Sequence, residues 1–209
     1  MLDLDPPTLL ARLLTLVIAF TIHEFSHAWA AVELGDDTPR HMGRLTLNPL
    51  AHLDFLGSIL LVAYGFGWAK PVQVNPYNFR NGPRLGMALV AAAGPFSNLI
   101  MALLAAIPFR LGLLNPSSIF ADERLLSPAF FLSEFIYLNL ILMFFNLIPI
   151  APLDGSKVLR GLAPSEWDRW LLPLEQWGFF ILIGLMFLGV LGWIITPPTF
   201  FVYHLLIGS

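Results

Sequence analysis

The run TLLARLLTLVIAFTIHEFSHAWAAV, Thr8 to Val32, is apolar enough for a membrane span, yet it carries two imidazoles and a carboxylate at His23, Glu24 and His27. It continues to about Leu34, where Gly35-Asp36-Asp37 breaks it. As a helix rising about 1.5 Å per residue, it exceeds a hydrocarbon core of about 30 Å. Ionisable groups at that depth cost at least ~2.5 kcal/mol each and persist where a cavity, a partner or a metal offsets the cost. Residues four apart stand about 6 Å along one helix face, so His23 and His27 can reach one Zn²⁺ at roughly 2.0–2.1 Å. Glu24 projects beside them, where it can take a proton from water. The pattern points to metal-assisted hydrolysis inside a membrane.

Composition sets the class. Of 209 residues, 57% are hydrophobic and only 12% are charged, far from the ~25% charge of a soluble domain. We expect a single all-α polytopic membrane domain, residues 1–209, in contact with the lipid bilayer. With 11 Lys and Arg against 14 Asp and Glu, there is no basic stripe, and nucleic acid is excluded as a partner. The chain has no Cys, which removes disulfides and thiolate ligands, so any metal must bind through His, Asp or Glu. The acidic start, Met1-Leu2-Asp3-Leu4-Asp5, resembles neither a secretory signal nor a transit peptide, and the first span is expected to be retained.

Working outward, Leu85–Phe109, Pro128–Ile150 and Gly178–Ile195 are further apolar runs of spanning length, whereas Phe200–Ile207 is too short to cross unaided. Phe55–Phe66 yields only about 18 Å of helix and reads as a re-entrant or partial segment. The expected total is about four to six membrane segments. The loop Trp68–Pro76 alternates β-favouring residues between prolines, which predicts a short edge strand at Val72–Val74.

A catalytic zinc site needs a third protein ligand and leaves a fourth position to water. Asp154, in NLIPIAPLDGS from Asn146 to Ser156, is the best candidate. Pro149 and Pro152 unwind the helix end, and Gly155 permits a tight turn. The alternative is that Asp154 only caps a following helix, Ser156–Leu162. Crossing geometry favours the ligand: with Phe55–Phe66 not crossing, two transits bring Asp154 back to the end of the membrane where His27 lies. With the amino terminus outside, Arg40, Arg44, Lys70, Arg80, Arg84, Lys157, Arg160 and Arg169 fall inside, and only Arg12, Arg110 and Arg124 fall elsewhere. The site is therefore expected to face the cytoplasm.

The HEFSH motif together with Asn146-x-x-Pro149 and Pro152-Leu153-Asp154-Gly155 resembles the site-2 protease family of intramembrane zinc metalloproteases. Gly94-Pro95-Phe96-Ser97-Asn98 and the stretch Gly43 to Asp54, GRLTLNPLAHLD, add to the resemblance. It implies a three-span catalytic core, one Zn²⁺ on His23, His27 and Asp154, Glu24 as general base, and a transmembrane-helix protein as substrate. Gly155-Ser156 stands where some members have Gly-Gly. Members often also carry PDZ or CBS domains, which this sequence does not show. A regulatory membrane partner or a homo-oligomer is left open.

Asn98 and Asn146 are amides inside apolar spans. They serve either as interhelical hydrogen-bonding groups or, as the resemblance favours, near the substrate backbone or the oxyanion. His52 is expected to orient its loop or a ligand, and with Asp54 it is a competing ligand candidate. A metal-handling or transport protein would use the same His and Asp set without hydrolysis, but Glu24 is a group such a site does not need. The expected location is a prokaryotic cytoplasmic membrane, since no organellar address is visible.

Overall fold

The computed structural model describes residues 5–64, 67–116 and 127–208; Phe66 and Arg124, used above, lie outside them. Helix α1 spans Pro6–Glu33, α2 Thr38–His41, α3 Phe55–Tyr64, α4 Pro83–Arg110, α5 Pro128–Asn146, α6 Asp154–Leu162, α7 Asp168–Phe187 and α8 Val190–Ile207. Of these, α1, α4, α5, α7 and α8 are long and apolar enough to cross a membrane. The chain is an all-α polytopic membrane protein.

Local chemistry explains where the spans begin. The Asp5 carboxylate accepts from the Thr8 N–H ahead of Pro6 and Pro7 in the first turn of α1, and Ser127 accepts from the Phe130 N–H to start α5. Inside a bilayer there is no aqueous hydrophobic drive between helices, so close approach of small residues does the packing. The buried faces accordingly read Ala11, Ala19, Ala28 and Ala31 on α1, and Ala88, Ala91, Gly94, Ala102 and Ala106 on α4.

Helices α1, α4 and α5 form an antiparallel core. His27 meets Val90 and His23 meets Asn98, while Asn98 meets Asn139 and Phe109 packs with Ala129. The C-terminal end of α1, the N-terminal end of α4 and the C-terminal end of α5 therefore converge at one end of the bundle, the site end. Helix α8 runs antiparallel to α5, since Tyr203 bonds Ser133 and Ile207 packs with Phe109 and Ala129 at the far end.

Three expectations are corrected. The predicted span Gly178–Ile195 is two helices broken at Leu188–Gly189, where Gly189 takes a left-handed φ of 71° that ends α7. Phe200–Ile207 is the second half of α8, which continues through Pro197 and Pro198. The Val72–Val74 edge strand does not form. Among the described residues the one β-bridge pairs Leu53 with Ala69, and residues 70–75 carry no regular secondary structure. The predicted partial segment is present as the ten-residue α3. The helix expected from Ser156 begins at Asp154 itself.

The partners of α7 lie at the site end throughout. Asp168 pairs with Arg84, Glu175 with Arg160, Gly178 rests on Ala151, and Leu182 packs with Ile148 and Leu153.

Candidate metal centre

His23 and His27 stand one turn apart on α1, and both are buried. Their rings meet edge-on, with centroids 4.6 Å apart and planes at 86°. Each Nδ1 is already committed: His23 Nδ1 lies 2.7 Å from Asn98 Oδ1, and His27 Nδ1 lies 2.7 Å from the Val90 carbonyl oxygen. These oxygens accept, so both Nδ1 atoms carry the proton and both Nε2 atoms present lone pairs.

The two Nε2 atoms converge on one oxygen. Asp154 Oδ2 lies 3.1 Å from His23 Nε2 and 3.2 Å from His27 Nε2. The three ligand atoms all lie within 4.8 Å of one another, and the N–O separations approach the ~3.4 Å edge of a tetrahedron built from ~2.1 Å bonds. Three acceptors face one another with no donor between them, an arrangement that repels unless a cation occupies the centre. The donor set thus fits zinc, and a water position remains in a three-ligand site.

The way Asp154 arrives follows from its motif. Helix α5 stops at Asn146, and Pro149 and Pro152, which cannot donate, lie in the turns that replace the ladder. Those turns lead to Leu153, and Asp154 opens α6, where the helix dipole favours its carboxylate. A Cβ at Gly155 would sit 2.3 Å from the Leu147 carbonyl oxygen, so only glycine lets α6 start against the unwound end of α5. Lys157, one turn on, places Nζ 3.5 Å from Asp154 Oδ1.

The Gly94–Asn98 element has a similar account. A Cβ on Gly94 would lie 2.4 Å from His27 Nε2 and 2.6 Å from His23 Nε2, so its absence leaves the room in which the ligands converge. Ser97 donates back to the Gly94 carbonyl, and Asn98 supports His23.

Residues 113–191 match peptidase family M50. A protein of Bacillus subtilis (strain 168) named "Putative zinc metalloprotease YwhC" is 40% identical over 188 residues, covering 88% of this chain and 83% of that one. The chain belongs to peptidase family M50, the site-2 proteases. As an M50 peptidase it is a zinc metalloprotease, and the His23, His27 and Asp154 cluster is where its metal can bind. Proteins named "Putative zinc metalloprotease Rip2" are also similar. That of Mycolicibacterium smegmatis is 32% identical over 181 residues, 81% of this chain and 64% of its own length. That of Mycobacterium tuberculosis (strain ATCC 25618 / H37Rv) is 31% identical over 193 residues, 85% of this chain and 70% of its own. No solved structure matches this M50 chain.

Glu24 lines the same cavity as His23, His27 and Asp154. The cavity holds about 790 Å³ and extends to residues 67–69 and 71–74, Phe145, Asn146 and Phe179. Asn146 faces it, with its side-chain N–H₂ held by the Leu142 carbonyl at 3.0 Å. Asn98 does not: it is fully buried behind His23, with Oδ1 turned to the ring and Nδ2 donating to Asn139. The expectation of a substrate-facing amide is corrected there, because both polar ends are taken by side chains.

His52 orients its loop, the first of the roles expected for it, and stands apart from the His23, His27 and Asp154 cluster. It is fully buried, its Nε2–H donates to the Thr46 carbonyl at 2.7 Å, and its own carbonyl accepts from the Lys70 N–H at 2.7 Å. Asp54 accepts from the Gly57 N–H at the start of α3. The Gly43–Asp54 stretch is therefore a loop clamp rather than a ligand source, and Arg44 completes it by donating to the Ala51 and Lys70 carbonyls.

Two features escaped sequence reading. Asn139 is one of two amides in the span Pro128–Ile150, and no motif sets it apart. Asp36, fully buried, gathers the Thr38 N–H and hydroxyl, the Asn75 N–H at 2.6 Å and the Asn78 amide at 2.9 Å. Its carboxyl is pushed up by burial but held below the usual range by those donors.

Proposed function

We propose that this M50 peptidase hydrolyses peptide bonds in or beside transmembrane segments of other membrane proteins, with His23, His27 and Asp154 holding zinc and Glu24 as general base. One observation carries the reading: a single cavity joins the His, Glu and Asp groups to the segment Val72–Val74. The backbone N–H and C=O groups of that segment have no partner among the described residues. A substrate helix hides its carbonyls in its own ladder and must be extended before attack. An unpaired segment beside the site offers replacement hydrogen bonds by strand addition, and Val72 and Val74 alternate with exposed Pro71, Gln73 and Asn75 in the way such an addition requires.

Zinc, when bound, supplies a Lewis acid that acidifies water and polarises a carbonyl. Glu24 takes the proton from the attacking water and returns it to the leaving amine. With one N–H engaged by Leu142, the second N–H of Asn146 is the donor available to the developing oxyanion. The apolar wall from Phe20, Leu142 and Phe179 keeps bulk water away from these charges.

The site end carries Arg40, Arg44, Lys70, Arg80, Arg84, Lys157, Arg160 and Arg169, while Arg12 and Arg110 lie at the far end. By charge asymmetry the site faces the cytoplasm of a prokaryotic cell, in its cytoplasmic membrane.

The test is cleavage of a single-span reporter in proteoliposomes. Val72→Pro with Val74→Pro should slow cleavage at least ~10-fold through lost backbone pairing while zinc content stays at the wild-type level. Undiminished cleavage by that variant would overturn strand addition. Zinc-loaded wild type that cuts soluble peptides but no membrane segment would overturn the substrate class.

A further inference from the structure

Asn139 lies on α5 with no exposed surface, away from the cavity and outside every motif above. Its side chain ends a chain of hydrogen bonds that crosses three helices. Asn139 Nδ2 donates to the Phe135 carbonyl at 2.8 Å, Asn98 Nδ2 donates to Asn139 Oδ1 at 2.9 Å, and His23 Nδ1 meets Asn98 Oδ1 at 2.7 Å. We propose that Asn139 is a positioning residue that sets the tautomer of His23, and with it the metal-binding lone pair on Nε2. The inference rests on the reading of His23 as a zinc ligand.

The argument is one of direction. A backbone carbonyl can only accept, so Asn139 must turn its NH₂ toward Phe135 and its oxygen toward Asn98. Asn98 must then answer with its own NH₂, which leaves its oxygen for His23. Facing an acceptor, the imidazole holds its proton on Nδ1 and keeps Nε2 free. An amide alone has no such preference. Rotated by half a turn, Asn98 would present NH₂ to His23, draw the proton to Nε2 and cancel the ligand. Both asparagines are fully buried, so no bulk water compensates either orientation.

His27 shows the same requirement met in one step, because its Nδ1 reaches the Val90 backbone carbonyl directly at 2.7 Å. At His23 the irreversible acceptor is Phe135, two amides away. Each ligand is thus referenced to a backbone oxygen, on α4 for His27 and on α5 for His23. Outer groups that fix a ligand's tautomer commonly change metal affinity by about 10–100-fold when removed.

The test measures zinc affinity by chelator competition on the full chain in detergent. Asn139→Leu keeps the branched skeleton but removes the acceptor that orients Asn98, and zinc affinity should fall about 10–100-fold. In an Asn98→Asp background either carboxylate oxygen accepts from His23, so Asn139→Leu should there change affinity less than ~3-fold. Equal affinity for Asn139→Leu and wild type, or an equal loss in both backgrounds, would overturn the proposal. A measurement on wild type stands independently of how any variant folds. ¹⁵N-histidine NMR of the metal-free protein should find the His23 proton on Nδ1, and a proton on Nε2 would overturn the relay. Wild type that takes up no zinc would count against the ligand reading instead, and the tautomer would still decide the relay.

Discussion

Helix α1 carries charge into the membrane at two places, and they are solved in opposite ways. Near its start, Arg12 Nε lies 2.7 Å from Glu134 Oε2 on α5, a donor against an acceptor, so the pair is complete in itself. Eleven residues on, about 16 Å along the helix, His23 and His27 present two lone pairs to a third acceptor, Asp154. The first site is neutral and closed; the second is incomplete without a cation. An apolar medium tolerates charged groups when they are matched, and the unmatched site is where the zinc chemistry of the M50 family belongs.

Removing single groups sharpens this contrast. The largest effect is expected at the unmatched site: Asp154→Ala should abolish stoichiometric zinc, whereas Arg12→Met should leave it at the wild-type level. Metal analysis of detergent-purified protein decides this, and zinc retained without Asp154 breaks the comparison. Gly94→Ala comes next. A methyl 2.4 Å from His27 Nε2 must push α4 from α1, and zinc affinity should fall at least ~10-fold, read by the same chelator competition.

The matched site behaves differently because its two charges answer each other. Arg12→Met alone strands Glu134 and should cost about 2 kcal/mol of stability, most of it recovered in Arg12→Met with Glu134→Leu. Thermal unfolding in detergent reads the difference; a double variant as unstable as the single one would show that the pair is not self-contained.

The smallest effect belongs to Asp36, outside the spans. Because its folded carboxyl titrates below the ordinary value of 3.8, its contribution is fully present above that pH and fades as pH falls through the lower folded value. Asp36→Asn should therefore loosen the 70–78 loop at pH 5–8 by about 1 kcal/mol and make little difference once the carboxyl of the parent is protonated. Limited proteolysis across pH measures it, and a cost that grows toward acid would reverse the assignment.

What was legible in the sequence divides along similar lines. The α1 span, its ligand spacing and the broken helix before Asp154 were readable because periodicity, proline and glycine act over a few residues. Gly178–Ile195 was misread because hydropathy is continuous through Gly189, while the left-handed turn there is a backbone matter. Asn98 was misread for another reason. A buried amide serves a substrate or a neighbour equally well, and only the position of α5 places Asn139 against it.

The candidate metal-binding side chains, their spacing on α1, the Asp154 turn and the polytopic class are readable from the residues alone, because they follow from local covalent geometry and the cost of polarity in lipid. The tertiary structure alone decided which oxygen each imidazole faces, that the Gly43–Asp54 stretch clamps a loop rather than binding metal, and that α7 keeps to the site end. The physical reason is range: the His23 contacts with Asn98 and Asp154 join positions 75 and 131 residues apart, and no local pattern encodes which way a side chain so distant will turn.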